Sequence, residues 1–273
     1  MFDKDQHLGK PFCFNTLTSI MGGFRQGELT IFTGRTGVGK TTYLSQLSLD
    51  LTVNQGVNTL WGSFEIPNVR LVSTMLQQRA GFAMQSTKDM TEEQRQALLA
   101  DFDQKWKLMP RNMWFLSYYG AIDCDTVMDE ISESIVKHGI KHVILDNLQF
   151  MTSLDAKYSE VYAKQDYICH RLRMLATAAN VHVSLVIHPR KVDVSTRNGQ
   201  PADLHIESVG GSPKSTQVSC WCRCGVCLAR QQLRCVAKMF ILLLIRAQEA
   251  DNIVMIQRDK DSHQRVLDVQ KNR

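Results

Sequence analysis

Short unbroken apolar runs alternate along the chain with stretches whose apolar residues recur every three to four positions. The runs at 28–33, 57–64, 113–118, 141–146 and 181–187 predict buried strands, and 253–257 and 265–269 predict two later ones. Between them, 41–51, 68–79, 92–107, 125–138 and 160–179 predict helices. Strands that are apolar on both faces and alternate with helices predict an α/β fold, a mostly parallel sheet flanked by helices. Ligands gather at the carboxyl ends of such strands, so the polar residues there are the candidates for chemistry. Residues 191–208 are polar, carry Gly199 and Pro201, and predict a mobile loop.

The most specific signal follows the first strand. Gly34-Arg35-Thr36-Gly37-Val38-Gly39-Lys40-Thr41 fits G-x-x-x-x-G-K-[ST] and is followed by Thr42 at the opening of a helix. Glycines let backbone N–H groups turn inward around phosphate oxygens, and the helix N-terminus adds a positive dipole end. Lys40 is expected at the β- and γ-phosphates of ATP, and the Thr41 hydroxyl on Mg²⁺. Asp146 ends the apolar run Val143-Ile144-Leu145, where a carboxylate completes the Mg²⁺ shell. Glu65 closes the strand after the P-loop helix; it is either the base for the attacking water or a solvated strand-end acid. His188 ends the run at 181–187; it either contacts the γ-phosphate or is a partly buried structural histidine. Lys191 and Arg197, in the loop beyond, are either contacts to a nucleic-acid backbone or ordinary surface charges. Lys271 and Arg273 follow the last predicted strand, where an arginine can reach phosphate in a neighbouring subunit.

Composition narrows the class without adding chemistry. With 273 residues, 44% hydrophobic and 22% charged, the chain suits one large soluble domain or two small ones. Its longest apolar run, Met239 to Ile245, is seven residues, far short of a bilayer span. The opening residues Met1-Phe2-Asp3-Lys4-Asp5 resemble neither a signal nor a transit peptide. The net charge of +5 is confined to 218–248, which holds Arg223, Arg230, Arg234, Lys238 and Arg246 and no acid, so charge alone does not point to DNA. Five cysteines lie there too, and Cys13, Cys124 and Cys169 are expected as reduced core thiols.

Five stretches, in order, resemble the RecA-like helicase domain of the hexameric replicative helicases (the DnaB and phage primase-helicase superfamily), and its mitochondrial branch in particular. They are Gly27 through the P-loop, 56–65 (GVNTLWGSFE), 143–151 (VILDNLQFM), 185–191 (LVIHPRK), and Ala250-Asp251-Asn252 with Lys271-Asn272-Arg273. The resemblance implies a RecA-like P-loop NTPase core and an ATP- and Mg²⁺-dependent helicase. It further implies a homohexameric ring on single-stranded or forked DNA, moving 5′ to 3′, in the mitochondrial matrix. It casts Glu65 as catalytic base, His188 as γ-phosphate sensor, Lys271 and Arg273 as a pair given in trans, and Lys191 as the leading strand contact. A RecA-type recombination ATPase shares the core and is the rival within the class.

Three departures from that pattern are expected to matter. The chain is expected to lack the primase-like half with its linker helix, and to stop before a further strand. The family pattern also runs as if Gln217 joined Glu249 directly, which leaves 218–248 as an insertion of retained-intron character. Cys220, Cys222, Cys224 and Cys227 in it offer four thiolates for Zn²⁺, although the C-x-C-x-C-x₂-C spacing is cramped for a structural site. A chain so altered is expected either to unwind DNA or, alternatively, to bind nucleotide or partner subunits without unwinding.

Overall fold

The computed structural model describes residues 9–13, 15–81, 90–107, 111–151, 158–188, 249–258 and 265–272. Contacts divide the chain into two units, Met1–His188 with Ala250–Arg273, and Pro189–Glu249. Of the second only Glu249 is described. The insertion at 218–248 with its four candidate zinc cysteines, and Lys191, Arg197 and Arg273, therefore lie outside the described residues.

The first unit is built from α1 (Asn15–Met21), β1 (Leu29–Thr33), α2 (Lys40–Leu49), β2 (Thr59–Ser63), α3 (Asn68–Ala80), α4 (Glu92–Lys107), β3 (Met113–Phe115), α5 (Cys124–His138), β4 (His142–Asp146), α6 (Tyr158–Ala179), β5 (His182–Ile187), β6 (Asn252–Arg258) and β7 (Arg265–Asn272). The strands form one sheet in the order β3-β2-β4-β5-β1-β6-β7. All pair in parallel except the β6–β7 edge, which is antiparallel. Every residue of β1, β2, β4 and β5 is buried, as the unbroken apolar runs require of strands covered on both faces. This is the RecA-like arrangement expected from the sequence.

Local chemistry sets the helix ends. The Asp123 carboxylate accepts from the Asp125 and Thr126 N–H groups and starts α5, and Gly139 at φ 61° ends it. Val127, Met128 and Ile131 form the buried stripe of α5. Gly81 at φ 77° ends α3, which buries only Leu71 and Met75. Two ties hold β1, the start of β6 and α6 together: Asp251 Oδ2 accepts from the Leu29 N–H at 2.9 Å, and Arg173 of α6 pairs with Asp251 at 3.1 Å.

Several expectations shift. α2 stops at Leu49 and passes into a π-helical turn, Asp50–Asn54. The strand expected at 113–118 is only Met113–Phe115: the Leu116 N–H makes a last bond to the Trp61 carbonyl of β2 at 2.8 Å, and its own carbonyl turns to the side chain of Asn68 on α3 at 2.7 Å. Lys271 does not follow the last strand; it lies within β7, paired with Ile253, because antiparallel pairing to β6 carries the strand on to Asn272. α1 and the short 3₁₀ helix Leu148–Met151 went unforeseen, being shorter than the window in which a helical period shows. Of the three scattered cysteines, all free, only Cys169 is fully buried and Cys13 is exposed.

Candidate functional site

β1, β2, β4 and β5 are neighbours in the sheet and end side by side, so four segments beyond their carboxyl ends meet. The first is the P-loop. Gly34 has φ 149°, and a Cβ there would lie 2.2 Å from the carbonyl oxygen of Ile256 on β6. Only glycine fits where the loop leaves β1. Gly39, at φ 95°, is the left-handed residue from which α2 starts. Arg35, Thr36 and Gly37 form the exposed crest of the loop, and Val38 and Gly39 its half-buried descent.

Lys40 is the first residue of α2 and is only 5% exposed. Its ammonium donates to the carbonyls of Gly34 at 2.7 Å and Arg35 at 3.0 Å, so it lies curled under the loop. Burial pushes its pKa down, and the negative charges of Asp146 and Glu65 oppose that. The Thr41 hydroxyl donates to Asp146 Oδ2 at 2.5 Å. The Thr42 carbonyl accepts from Gln78 of α3 at 2.8 Å, which fixes the start of α2 against α3.

Asp146 ends β4 and is buried. Burial raises its pKa, the hydroxyl of Thr41 works against that, and the nearby Glu65 raises it further. Glu65 lies two residues past the end of β2 and is anchored by Phe64 and Glu65 N–H groups that donate to the Asp146 carbonyl. Its Oε2 accepts from Asn147 Nδ2 at 2.6 Å and lies 3.1 Å from His188 Nε2. His188 follows β5 directly. The ligand atoms of Glu65, Asp146 and His188 all fall within 4.8 Å of one another.

The structure thus brings together Lys40, Thr41, Asp146, Glu65 and His188, which the sequence had only suggested one by one. The backbone of Lys271 lies on β7, and nothing further of that residue is described. Sequence reasoning missed Asn147 and Gln149. Both stand in the segment that follows the strand-end Asp146, yet an amide side chain there carries no motif. It also missed Arg265 of β7, whose guanidinium would stand 2.9 Å from a Cβ added at Gly39.

A family model described as an AAA domain matches residues 13–194. The chain belongs to this AAA-domain family. The matched span holds the P-loop, Glu65, Asp146 and His188, and membership implies nucleotide binding. Two solved structures share the fold. A solved ATPase domain superposes with a TM-score of 0.69 at 14% identity, over 99% of this chain and 86% of that one. A DnaB-like replicative helicase, solved together with its interactions with primase, gives a TM-score of 0.69 at 15% identity, over 99% of this chain and 58% of that one. The chain spans 58% of the length of that helicase. The AAA-domain chain therefore has the fold of a DnaB-like helicase ATPase domain.

The donor set suits ATP with Mg²⁺. Thr41 and Asp146 present a hydroxyl and a carboxylate oxygen already in contact, the oxygen donors that a hard divalent ion takes. Asp146 is a buried carboxylate whose charge lacks full compensation, and a cation beside it supplies that. The ammonium of Lys40 satisfies itself on loop carbonyls that phosphate oxygens can replace.

Proposed function

We propose that this chain is the ATPase module of a replicative DNA helicase that couples ATP hydrolysis to movement along single-stranded DNA. The observation that carries the reading is the convergence of Lys40, Thr41, Asp146, Glu65 and His188 beyond adjacent strand ends on this fold. Thr41 and Asp146 would hold Mg²⁺, which would supply charge neutralisation at the nucleotide phosphates. Lys40 leaves the loop carbonyls and turns to the phosphate oxygens. Glu65 takes a proton from the attacking water. His188 exchanges Glu65 for the γ-phosphate and so reports whether that phosphate is present. The segment beginning at Pro189, with Lys191 and Arg197, carries the report to the DNA strand. Arg273, with Lys271, serves the site of the next subunit in a ring of six.

The finer assignment is to the mitochondrial replicative helicase Twinkle, acting 5′ to 3′ in the matrix nucleoid. It is supported by the run of family-like stretches from Gly27 to Arg273. A second reading stands beside it, a chain that binds nucleotide or partner subunits without unwinding, because 218–248 interrupts the sequence between the candidate DNA contacts Lys191 and Arg197 and β6.

ATPase rates with and without single-stranded DNA, for the full chain and for one lacking 218–248, separate the readings. DNA-stimulated hydrolysis by both supports a working helicase module. Stimulation of the deleted form alone supports the non-unwinding reading for this chain. No stimulation in either form refutes coupling to DNA.

A further inference from the structure

We infer that Asn147 is a positioning residue that holds the Glu65 carboxylate for proton transfer; this rests on the reading of Glu65 as the base. Asn147 follows Asp146 at the end of β4 and is 2% exposed. Its Oδ1 accepts from the Gln149 N–H at 3.1 Å. A backbone N–H only donates, so this bond fixes which end of the amide is oxygen. Nδ2 is then the atom that faces Glu65 Oε2 at 2.6 Å.

Glu65 needs such a restraint. It stands beyond the end of β2 with a side chain 38% exposed, and a long carboxylate side chain there has several rotamers open to it. Two donors meet on the same oxygen, Asn147 Nδ2 and His188 Nε2. A His188 engaged with phosphate cannot also hold Glu65. Asn147 is the tie that persists through the cycle, and it leaves Oε1 for the water. The same turn fixes His188 as well, because the Gln149 side chain donates to the His188 carbonyl at 3.0 Å. One short helix after β4 thus references both residues to the metal-facing strand. Misplacement of a base by a fraction of its reach costs an order of magnitude or more in rate, so the tie belongs to kcat and not to binding.

Asn147 also caps the 3₁₀ helix through Oδ1, and the test must separate the two roles. In Asn147→Ser the short hydroxyl still accepts from the Gln149 N–H but cannot reach Glu65. Full-length Asn147→Ser, Asn147→Leu and Glu65→Gln variants are compared with the parent by single-turnover ATP hydrolysis at enzyme excess, affinity for a fluorescent ADP analogue, and thermal melts. The expected result for Asn147→Ser is a hydrolysis rate at least about ten-fold lower, with ADP affinity within about two-fold and an unchanged melt. A parental rate in Asn147→Ser overturns the inference, and so does a rate that falls only in step with affinity and melting temperature. If Glu65→Gln hydrolyses ATP at the parental rate, the reading of Glu65 as base fails, and the inference falls with it. Loss of rate in Glu65→Gln with a parental rate in Asn147→Ser overturns the positioning role alone.

Discussion

Two buried histidines at the amino ends of the central strands should make the fold acid-sensitive. His142 opens β4 and His182 opens β5; they face each other in register and both pack on the Phe24 ring. Both are buried, and their rings lie 5.6 Å apart. His182 Nδ1 lies 2.6 Å from the Arg25 carbonyl, which only accepts, so Nδ1 carries the proton of the neutral ring. His142 meets the Ser184 hydroxyl through Nε2 at 2.9 Å, while its Nδ1 is buried without a partner. Burial pushes both pKa values below the ordinary histidine range, that of His142 well below; the neighbouring His182 lowers it further. The folded state therefore keeps these rings neutral while the unfolded chain protonates them near the usual value of 6.5.

The sign follows from proton binding. Below that value the unfolded chain binds more protons than the folded one, so stability falls as pH falls. A ring that stays neutral at about pH 5.5 withdraws about 1.4 kcal/mol relative to pH 7.5, and two such rings withdraw at most about 2.8 kcal/mol. That is a sizeable part of a typical domain's stability of about 5–15 kcal/mol. Urea unfolding of the parent and of His142→Gln across this range is the assay. Loss of packing on Phe24 offsets the variant by a constant amount, so the informative quantity is how the difference between the two changes with pH. It should shrink by about 1.4 kcal/mol between pH 7.5 and 5.5. A difference that stays constant across the range would refute the assignment of the pH dependence to His142.

Two further substitutions probe the scaffold of the site. Gly34→Ala sets a methyl 2.2 Å from the Ile256 carbonyl at a positive φ, so nucleotide affinity measured by titration should fall at least about ten-fold, and a parental affinity would count against the close approach. Asp251→Ala strips the partner from the buried Leu29 N–H and the carboxylate from Arg173, which keeps the Gly27 carbonyl and the Thr177 hydroxyl, and should cost about 3 kcal/mol, seen as a melting temperature roughly 6–12 °C lower; a shift under about 2 °C would show that the tie contributes little.

The strands and the phosphate loop were legible because each rests on a local rule. An unbroken apolar run needs a two-sided cover, and a glycine-rich turn before Lys40 needs a phosphate. Asp146 and His188 were legible by position, since each stands at the carboxyl end of such a run. What the sequence left undecided was contact. Glu65 was balanced between base and solvated acid, and no run or spacing foretold that the pairing of Ser63 with Asp146 brings it to Asn147 and His188. Asn147 and Gln149 were invisible for the same reason: an amide's role depends on which group faces it, and no period or spacing encodes that. The antiparallel turn of β7 was equally hidden, because apolar runs do not state their direction, and Lys271 was placed beyond a strand that contains it.

The hydrogen bonds around the site fall into two sets. Lys40 spends its protons on Gly34 and Arg35, Thr41 on Asp146, and His188 faces Glu65. Each of these is a partner that nucleotide and metal displace in the proposed cycle, and each displacement frees a group for phosphate, Mg²⁺ or water. The contacts of Asn147 and Gln149 are different in kind, since they join protein groups that no ligand replaces: Glu65, the His188 carbonyl and the backbone after β4. A cycle that exchanges the first set while conserving the second can turn the His188 ring from Glu65 to phosphate without losing the placement of the base. On that division of labour, substitutions at Lys40 or Thr41 act on nucleotide binding, and substitutions at Asn147 act on the rate of hydrolysis in a chain that still binds.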